Sequence, residues 1–226
     1  MDLNENIKVI NEDCMETMSR YPDKYFDLAI VDPPYGIGDK KLTNGGTWAS
    51  KYEKGDCAWD IAPNEEYFKE LFRVSKDYII WGGNYFSNFI SGKRCFIVWR
   101  KLQMLGMRTM ADCELALTSF DKNAKIWDGN NSLDRIHPTQ KPVALYRWLL
   151  ENYAKPEMKI LDTHLGSGSS AIAAHHFNIE EFVGVELDKD YYASFLERFK
   201  KECSTENMFK DFLVTKRKSE PENMFE

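Results

Sequence analysis

The residues best suited to chemistry follow a short apolar run, Leu28 to Val31. A run of this length predicts a buried strand of a parallel sheet, and the prolines behind it end any further strand pairing. The segment after the run is Asp32, Pro33, Pro34 and Tyr35. Asp32 and the Pro33 carbonyl can both accept hydrogen bonds from one planar amino group, and Tyr35 can stack on the ring that carries it. The alternative interpretation is a strand-ending turn that happens to carry an aromatic residue.

A second candidate site lies in a strand–turn–helix–strand unit towards the end of the chain. Its turn contains Gly166, Gly168 and Ser169, and glycines let the backbone pass close to a ligand. Asp162 precedes the turn at a predicted strand end, and Glu186 lies about 20 residues beyond it, where a carboxylate can take both ribose hydroxyls of a nucleoside. The turn has no lysine of the kind found in phosphate-binding loops, so a nucleoside without phosphates fits it better than a triphosphate.

The two candidate sites together imply a group transfer. One strand end accepts an amino-bearing ring, and a neighbouring one holds a nucleoside-type cofactor. S-adenosylmethionine is a nucleoside with a reactive methyl group and no phosphate, so the implied chemistry is methyl transfer to an aromatic amine. Methylation of cytosine C5 is excluded, because it needs a nucleophilic cysteine, normally in a Pro-Cys pair, and the chain contains no such pair.

Composition and charge limit the class of protein. The 226 residues suffice for one α/β domain, and neither a repeat nor a linker divides them, so a single domain over 1–226 is expected. The acidic, polar N-terminus argues against a signal peptide, and no apolar run approaches the length of a membrane span. Five scattered cysteines without a Cys-x-x-Cys pair favour reduced thiols in a cytoplasmic protein and neither a disulfide framework nor a metal site.

The apolar pattern predicts seven strands, with helices over 14–20, 63–76, 142–153 and 169–177 and a last helix that Asp188 caps. Residues 121–138 contain Asp, Asn, Gly and Pro and are expected to be irregular. The strands are predicted over residues 7–10, 28–31, 78–81, 95–99, 113–120, 159–162 and 182–186.

Two segments are candidates for contact with nucleic acid, although the net charge of −6 argues against a generally basic binder. Residues 91–110 contain five cations and no acid, within a wider candidate region that extends over 100–136. Residues 39–60 form a long polar segment with scattered aromatic residues, a length at which function is more common than mere connection. A solvated surface face is the alternative interpretation for both. The candidate contacts are Lys93, Arg94, Arg100, Lys101 and Arg108 in the first segment and Trp48 and Lys51 in the second.

Five segments together resemble the amino-methylating DNA methyltransferases, which modify adenine at N6 or cytosine at N4. They are DPPYGIG from residue 32, WGGNYF from 81, HPTQKP from 137, GSGSS from 166 and GVELDKDYY from 184. DPPYGIG and HPTQKP in combination are highly specific for this family. The catalytic segment precedes the cofactor turn, which resembles the circularly permuted, beta-type motif order of these enzymes.

The resemblance implies a seven-stranded, mostly parallel, doubly wound sheet of Rossmann type, with the strand at 7–10 beside the strand that ends at Glu186. It also implies S-adenosylmethionine as cofactor and double-stranded DNA as substrate, with the target base flipped out of the duplex. Adenine N6 is the expected target, because serine in place of Asp32 is more usual for cytosine N4. Asp13 would accept the amino group of the cofactor's adenine, and Glu186 would hold its ribose. The residues implied at the methionine end are Asp162, Gly166, Gly168, Ser169, Thr139, Gln140 and Lys141.

Two features depart from the family's pattern. The cofactor turn reads Asp162-Thr163-His164-Leu165 where the family usually has Asp-Pro-Phe, so Leu165 or His164 must fill the space of that phenylalanine. The interval before His137 is short, so the reading of DNA sequence is assigned to residues 39–60 or to a partner. The alternatives are an N4-cytosine methyltransferase and a non-catalytic homologue that binds DNA or cofactor only. A homodimer, a restriction partner and the target sequence stay open.

Overall fold

The computed structural model describes residues 3–37, 60–91, 93–102, 111–130, 136 and 140–203. The strands of this part are β1 (Ile7–Asn11), β2 (Phe26–Val31), β3 (Ser75–Trp81), β4 (Phe96–Arg100), β5 (Cys113–Thr118), β6 (Lys125–Asp128), β7 (Lys159–Asp162) and β8 (Glu181–Glu186). The helices are α1 (Cys14–Ser19), α2 (Glu65–Val74), α3 (Val143–Tyr153), α4 (Ser169–Phe177) and α5 over residues 189–203.

These eight strands form one sheet in the order β1-β8-β7-β2-β3-β5-β4-β6. Neighbouring strands are parallel except at β5, which runs antiparallel between β3 and β4. The seven parallel strands therefore end at a common edge, named the carboxyl edge here, and begin at the opposite amino edge. Because β5 runs the other way, its first residues also lie at the carboxyl edge.

This architecture confirms the predicted mostly parallel α/β sheet and the pairing of β1 with the strand that ends at Glu186. It differs from the expectation at residues 121–138, which contain strand β6, so the sheet has eight strands and not seven. β6 lies at the end of the sheet beside β4 and exposes most of its side chains. In this edge strand Trp127 alone is partly buried against the core, so its sequence carries too little of the hydrophobic pattern that identifies a strand.

The continuous apolar run in β2 reflects two cores, one on each face of the sheet. Leu28 and Ile30 pack into the core formed with α3, α4 and α5, whereas Ala29 and Val31 pack into the core formed with α1 and α2. Successive side chains of a strand point to opposite faces. A strand that is covered on both faces must therefore be apolar throughout, as the apolar run from Leu28 to Val31 predicts.

Local capping sets the starts of two helices. The Asn64 side chain accepts a hydrogen bond from the Tyr67 N–H at 3.2 Å, so α2 begins just after Asn64 and not at Pro63. Asp188 caps α5 as predicted, since its carboxylate accepts from the next-but-one backbone N–H at 2.8 Å. Among the helices described here, none combines the length and the apolar composition that a membrane span requires.

Candidate active site

The segment after β2 brings a carboxylate and an aromatic ring to the carboxyl edge. The Tyr35 hydroxyl donates a hydrogen bond to Asp32 Oδ1 at 2.8 Å. The Tyr35 ring stacks on Tyr85, with ring centroids 4.9 Å apart, and also lies over Gly82. Gly82 has a φ of +66°, and a Cβ there would come within 2.2 Å of the Tyr35 ring, so glycine is required for both backbone and space. Tyr35 is therefore held next to Asp32 by contacts to its hydroxyl and its ring.

The Asp32 carboxylate belongs to a buried network of four charges. Lys141 forms an ion pair with Asp32 Oδ2, and its ammonium nitrogen lies 3.1 Å from Glu114 Oε2. Glu114 in turn forms an ion pair with Lys101. The exposed fraction is 2% for the Lys141 side chain and 9% for that of Lys101. The carboxylates of Asp32 and Glu114 are thus balanced by the ammonium groups of Lys141 and Lys101.

Burial and charge oppose one another in this network. Burial raises the pKa of Asp32 above its ordinary value, and the Lys141 ammonium counteracts part of that rise. Burial also acts to raise the pKa of Glu114, but Lys141 and Lys101 lower it to about 2. Burial alone would lower the pKa of Lys141, whereas the carboxylates of Asp32 and Glu114 raise it. Glu114 and Lys141 are therefore charged at neutral pH, and Asp32 depends on Lys141 for part of its ionisation.

The glycine turn between β7 and α4 is fastened to the end of β8. One oxygen of Glu186 accepts a hydrogen bond from the Gly166 N–H at 2.7 Å, and the other accepts from the Asp188 N–H at 2.9 Å. The Asn11 amide, at the end of β1, donates to the Glu186 carbonyl at 2.8 Å. Burial raises the pKa of the Glu186 carboxyl. The acid predicted to hold a ribose therefore lies directly beside the turn.

Helix α5 supports the same turn from the other side. Gly168 has a φ of +73°, and a Cβ there would lie 1.8 Å from the Phe195 ring of α5. Arg198 donates to the Ser167 carbonyl and to the Ser169 hydroxyl, both at 2.9 Å. The glycine at 168 is thus needed for close packing against α5 as well as for its positive φ.

Asp162 is buried at the end of β7, the strand between β2 and β8. Its Oδ1 accepts from the His164 N–H at 3.0 Å, and its Oδ2 accepts from the Ser170 hydroxyl at 2.5 Å. Burial raises the pKa of Asp162 to about 7, and the nearby Asp32 carboxylate acts in the same direction. Both oxygens thus brace the turn, and the three acids Asp32, Asp162 and Glu186 end three adjacent strands.

Thr163, His164 and Leu165, which depart from the usual Asp-Pro-Phe turn, make both polar and apolar contacts. The Thr163 hydroxyl lies 2.6 Å from the Tyr67 hydroxyl of α2, and the His164 ring lies edge-on to the Tyr67 ring. Leu165 is buried and packs where a Cβ on Gly184 would come within 2.9 Å of it. Burial lowers the pKa of His164 to about 4, so this histidine is neutral at physiological pH.

Two further predicted cofactor residues have local hydrogen-bonding roles in the structure. Asp13 is exposed beyond the end of β1 and caps α1 by accepting from the Met15 N–H at 2.8 Å. Gln140 is buried and accepts from the Ile136 N–H at 3.0 Å. Thr139 lies outside the described residues.

Two of the predicted DNA-contacting cations form ion pairs with neighbouring carboxylates. Arg94 and Arg100 are exposed; Arg94 pairs with Asp121 at 2.5 Å, and Arg100 makes two hydrogen bonds to Asp128 at 2.8 and 2.5 Å. Each of these arginines therefore shares its charge with a neighbouring carboxylate.

The other predicted DNA contacts differ in position. Lys93 is exposed. Lys101 is buried against Glu114 and lies 5.0 Å from the centre of the Trp99 ring, so this geometry does not offer its ammonium group to a phosphate. Trp48, Lys51 and Arg108, and all of residues 39–60 except Asp60, lie outside the described residues.

Sequence reasoning missed Glu114 and Arg198. The sequence does contain a sign that Glu114 is unusual, because it is the one charged residue in the otherwise mostly apolar strand β5, CELALT. Arg198 has no such signal, since it is a largely buried residue in an ordinary amphipathic helix. Within the described part of the chain, no group of three or more His, Cys, Asp or Glu side chains is arranged to hold a metal ion.

Two proteins of known sequence are similar to this chain over most of their length. The YubD protein of Escherichia coli (strain K12) is 27% identical over 212 residues, which cover 84% of this chain and 89% of YubD. The type II methyltransferase M2.DpnII of Streptococcus pneumoniae is 21% identical over 246 residues, covering 87% of this chain and 91% of that enzyme.

Solved structures share the fold. The complex of M1.HpyAVI with SAM superposes with a TM-score of 0.58 at 20% identity and covers 87% of this chain and 98% of its own. The cytosine-N4-specific PvuII DNA methyltransferase gives a TM-score of 0.60 at 12% identity, covering 89% of this chain and 92% of its own.

The family assignment combines the segments with a model of the family. The DPPYGIG and HPTQKP segments converge in the structure, because Lys141 of the second contacts Asp32 of the first. A family model described as DNA methylase, which represents N6 and N4 methyltransferases, matches residues 91–197. This match, which covers just under half of the chain, and the two similar proteins together support an amino-methylating methyltransferase family.

Proposed function

We propose that this protein transfers a methyl group from S-adenosylmethionine to the exocyclic N6 amine of adenine in double-stranded DNA. The observation that supports the proposal most strongly is the shared edge of three adjacent strands that end in Asp32, Asp162 and Glu186. An acceptor for an amine and a turn suited to a nucleoside therefore lie next to each other, as a direct transfer between them requires.

The glycine turn fits a nucleoside cofactor that has no phosphate. Each Glu186 oxygen accepts one backbone hydrogen bond and keeps a further lone pair for a ribose hydroxyl. The negative charge of Glu186 beside Gly166 also disfavours a phosphate group at this position. When bound, S-adenosylmethionine supplies an electrophilic methyl group on a positively charged sulfur. The proposed cofactor residues are Asp13, Glu186, Asp162, Gly166, Gly168, Ser169, Thr139 and Gln140.

Asp32 and Pro33 would prepare the target amine for transfer. The exocyclic amine is a poor nucleophile, because its lone pair is delocalised into the ring. By accepting the two N–H groups, the Asp32 carboxylate and the Pro33 carbonyl localise that pair and aim it at the methyl group. The nitrogen sheds one proton after transfer, and the Asp32 carboxylate can take it. Pro34 keeps the segment out of the sheet, and no covalent intermediate with the protein is needed.

The base would have to leave the duplex to reach Asp32, because its amine is paired inside the helix. We assign Tyr35 as its stacking partner, with Tyr85 behind the Tyr35 ring. Lys93, Arg94 and Arg100 are the proposed phosphate contacts among the described residues, and Arg108, Trp48 and Lys51 complete the proposed surface. Residues 39–60 are the proposed reader of the DNA sequence.

Adenine is proposed over cytosine because aspartate at position 32 resembles the adenine enzymes, whereas serine is more usual for cytosine N4. The second candidate is N4-cytosine methylation, since the acceptor pair of Asp32 and Pro33 fits the exocyclic amine of either base.

Nucleoside analysis tests the proposal directly. The full chain is incubated with double-stranded DNA and S-adenosylmethionine that carries a labelled methyl group, and the DNA is then digested to nucleosides and separated by mass spectrometry. Labelled N6-methyldeoxyadenosine is the expected product, and Asp32→Asn is the matched control that should yield none. Labelled N4-methyldeoxycytidine would replace the adenine proposal with the cytosine one. Binding of S-adenosylmethionine without any labelled nucleoside would overturn both in favour of a non-catalytic homologue.

A further inference from the structure

The ammonium group of Lys141 lies among protein oxygens. It carries three N–H donors, and three oxygens of the described residues lie near it. They are Asp32 Oδ2, Glu114 Oε2 at 3.1 Å and the Tyr35 hydroxyl at 3.4 Å. With a side chain that is only 2% exposed, Lys141 faces the segment that carries Asp32 and is shielded from solvent.

The network around Lys141 is a consequence of strand order. Glu114 is the second residue of β5, and Lys101 directly follows β4. Because β5 is antiparallel to β4, its beginning lies beside the end of β4, with Glu114 opposite Trp99. Lys141 reaches the same edge from the segment before α3. Three charged side chains from three separate parts of the chain therefore meet beside Asp32.

We propose that Lys141 is a positioning residue that orients the Asp32 carboxylate and keeps it ionised, while Glu114 and Lys101 hold Lys141 in place. This inference rests on the function proposed above and assigns a further role at the same site. It replaces the expectation that Lys141 lines the methionine end of the cofactor, and it gives Lys101 a role other than phosphate contact.

The target amine requires an ionised Asp32. An ionised carboxylate only accepts hydrogen bonds, whereas a protonated one also presents a donor, which an N–H group cannot use. Burial favours the protonated form of Asp32, and Lys141 opposes it. Buried ion pairs contribute little to stability when desolvation is included, so stability alone gives a weak reason for this network.

Glu114 and Lys101 complete the arrangement. Glu114 places a second carboxylate 3.1 Å from the Lys141 ammonium, which favours the direction in which it approaches Asp32. Its own negative charge repels Asp32, and Lys101 compensates that charge by pairing with Glu114. The pair therefore anchors Lys141 without adding net charge beside the catalytic carboxylate.

The titratable groups that act on Asp32 come from every element packed around it. Among the residues that the structure describes, they are Tyr35, Tyr67, Glu114, Lys141, Tyr146 and Asp162. Of these six, Lys141 alone is a cation, so its removal is the change that most directly exposes the effect of burial on Asp32.

The decisive variant is Lys141→Met in the full chain. We expect kcat to fall on the order of 100-fold near neutral pH, the size seen when one preorganised polar contact of an active site is lost. The Kd of S-adenosylmethionine, measured by calorimetry, should stay that of the wild type. The acid limb of the rate profile should move to higher pH by about one unit or more, because a contacting opposite charge shifts a carboxyl pKa by about 1–3 units.

Two matched variants sharpen this result. Lys141→Arg keeps the positive charge and should return the acid limb towards the wild-type position. Lys76→Met removes a lysine that pairs at 2.6 Å with Asp27, at the amino edge of the same strand β2. It should leave kcat and the pH profile unchanged, which separates an effect of position from the loss of any Lys–Asp pair.

Glu114→Gln tests the anchor. We expect a smaller loss of kcat than in Lys141→Met, with the affinity for S-adenosylmethionine retained, because the ammonium group of Lys141 loses one of its two carboxylate partners. Wild-type kcat in Glu114→Gln would contradict the anchoring role.

A readout without turnover separates this inference from the proposed function. In a carbon-13 NMR titration of the aspartate carboxyls, with Asp32 assigned through Asp32→Asn, Lys141→Met should raise the pKa of Asp32. An unshifted Asp32 together with weakened binding of S-adenosylmethionine would overturn the inference and return Lys141 to the cofactor. A wild-type protein that methylates no DNA would instead overturn the proposed function, and the titration would still decide the role of Lys141.

Discussion

Strands β2 and β8 each carry an acid at both ends, and the two ends of each strand differ in what the acid contacts. At the amino edge, Asp27 pairs with Lys76 at 2.6 Å, and Glu181 accepts from the Tyr25 hydroxyl at 2.8 Å. At the carboxyl edge, Asp32 joins the buried charge network, and Glu186 holds the glycine turn. The chemistry of the side chains is the same at both edges, so their surroundings account for the difference.

The pKa values of the aspartates express this difference. Burial acts to raise the pKa of Asp27, but hydrogen bonds from Lys76 and from the Lys159 N–H outweigh it and lower that pKa. At the carboxyl edge burial prevails, so the pKa values of Asp32 and Asp162 are raised. Groups with raised pKa values cluster at functional sites, whereas exposed pairs serve mainly to hold elements together.

Glu114 is the exception at the carboxyl edge, and it clarifies the rule. It is buried like Asp32, yet its pKa is lowered to about 2 because two lysines contact it. The number of cationic partners, and not burial alone, therefore decides the direction of a shift at this edge.

The largest expected effect comes from comparing the two acids of strand β2, Asp32 and Asp27. Asp32→Asn should lower methyl transfer on the order of 10³-fold, because an amide accepts more weakly and presents a donor to the target amine. Affinity for S-adenosylmethionine, measured by calorimetry, should change little. Asp27→Asn, five positions earlier, should keep normal turnover and lose about 0.2–1 kcal/mol of stability, as expected for an exposed pair. Near-normal turnover in Asp32→Asn would contradict the proposed mechanism.

The corresponding comparison on strand β8 concerns the cofactor. Glu186→Ala should weaken binding of S-adenosylmethionine by about 1.5–3 kcal/mol, the range for hydrogen bonds to a charged group. Loss of the acceptor for the Gly166 N–H would loosen the turn and act in the same direction. Glu181→Ala at the other end of the strand should bind the cofactor normally. Equal affinities of the two variants in calorimetry would show that the ribose is not held by Glu186.

A third prediction is that the stability contributions of Asp162 and Asp27, at opposite edges of the sheet, change with pH in opposite directions. Asp162 has a raised pKa of about 7 in the folded state, so its contribution to stability is present below the ordinary aspartate pKa and is lost as pH rises through about 7. Asp162→Asn should therefore be more destabilising near pH 5 than near pH 8, by on the order of 2 kcal/mol. Urea unfolding at both pH values measures this difference.

Asp27 should show the opposite trend. Its pKa is lowered on folding, so its contribution is present above the ordinary aspartate pKa and is lost as pH falls through the lowered value. The destabilisation in Asp27→Asn should therefore shrink as the solution is acidified. Parallel pH trends for Asp27→Asn and Asp162→Asn would contradict the assignment of opposite environments to the two edges.

The smallest expected effect compares two neighbours in sequence, Arg100 and Lys101. If Arg100 contacts a DNA phosphate, Arg100→Ala should reduce the slope of log K against log salt by about 0.9. Because Lys101 is buried, Lys101→Met should leave this slope unchanged. Lys93→Ala should behave like Arg100→Ala. A salt titration of DNA binding measures all three slopes, and a reduced slope in Lys101→Met alone would reverse the assignment.

Most of the fold could be predicted from local sequence. The apolar run of β2, the glycine turn and the capping aspartate at 188 are short-range patterns whose physical causes lie within a few residues of one another. For the same reason, the sequence predicted that Asp32, Asp162 and Glu186 lie at strand ends, since each acid comes at the end of a buried run. It missed β6, because this edge strand has one partly buried side chain, which is too few to make a periodic pattern.

What only the tertiary structure decided is which distant residues meet. The place of β5 between β3 and β4 brings Glu114 to the carboxyl edge, and nothing in the local sequence specifies that order. Lys101 and Arg100 are adjacent cations, yet one is buried against Glu114 and the other is exposed beside Asp128. Lys141 contacts Asp32, which lies more than a hundred residues away in the chain. Residue type and spacing alone determined which groups could do chemistry, whereas the pairing of strands decided which charge each group faces, because electrostatic partners depend on distance in space.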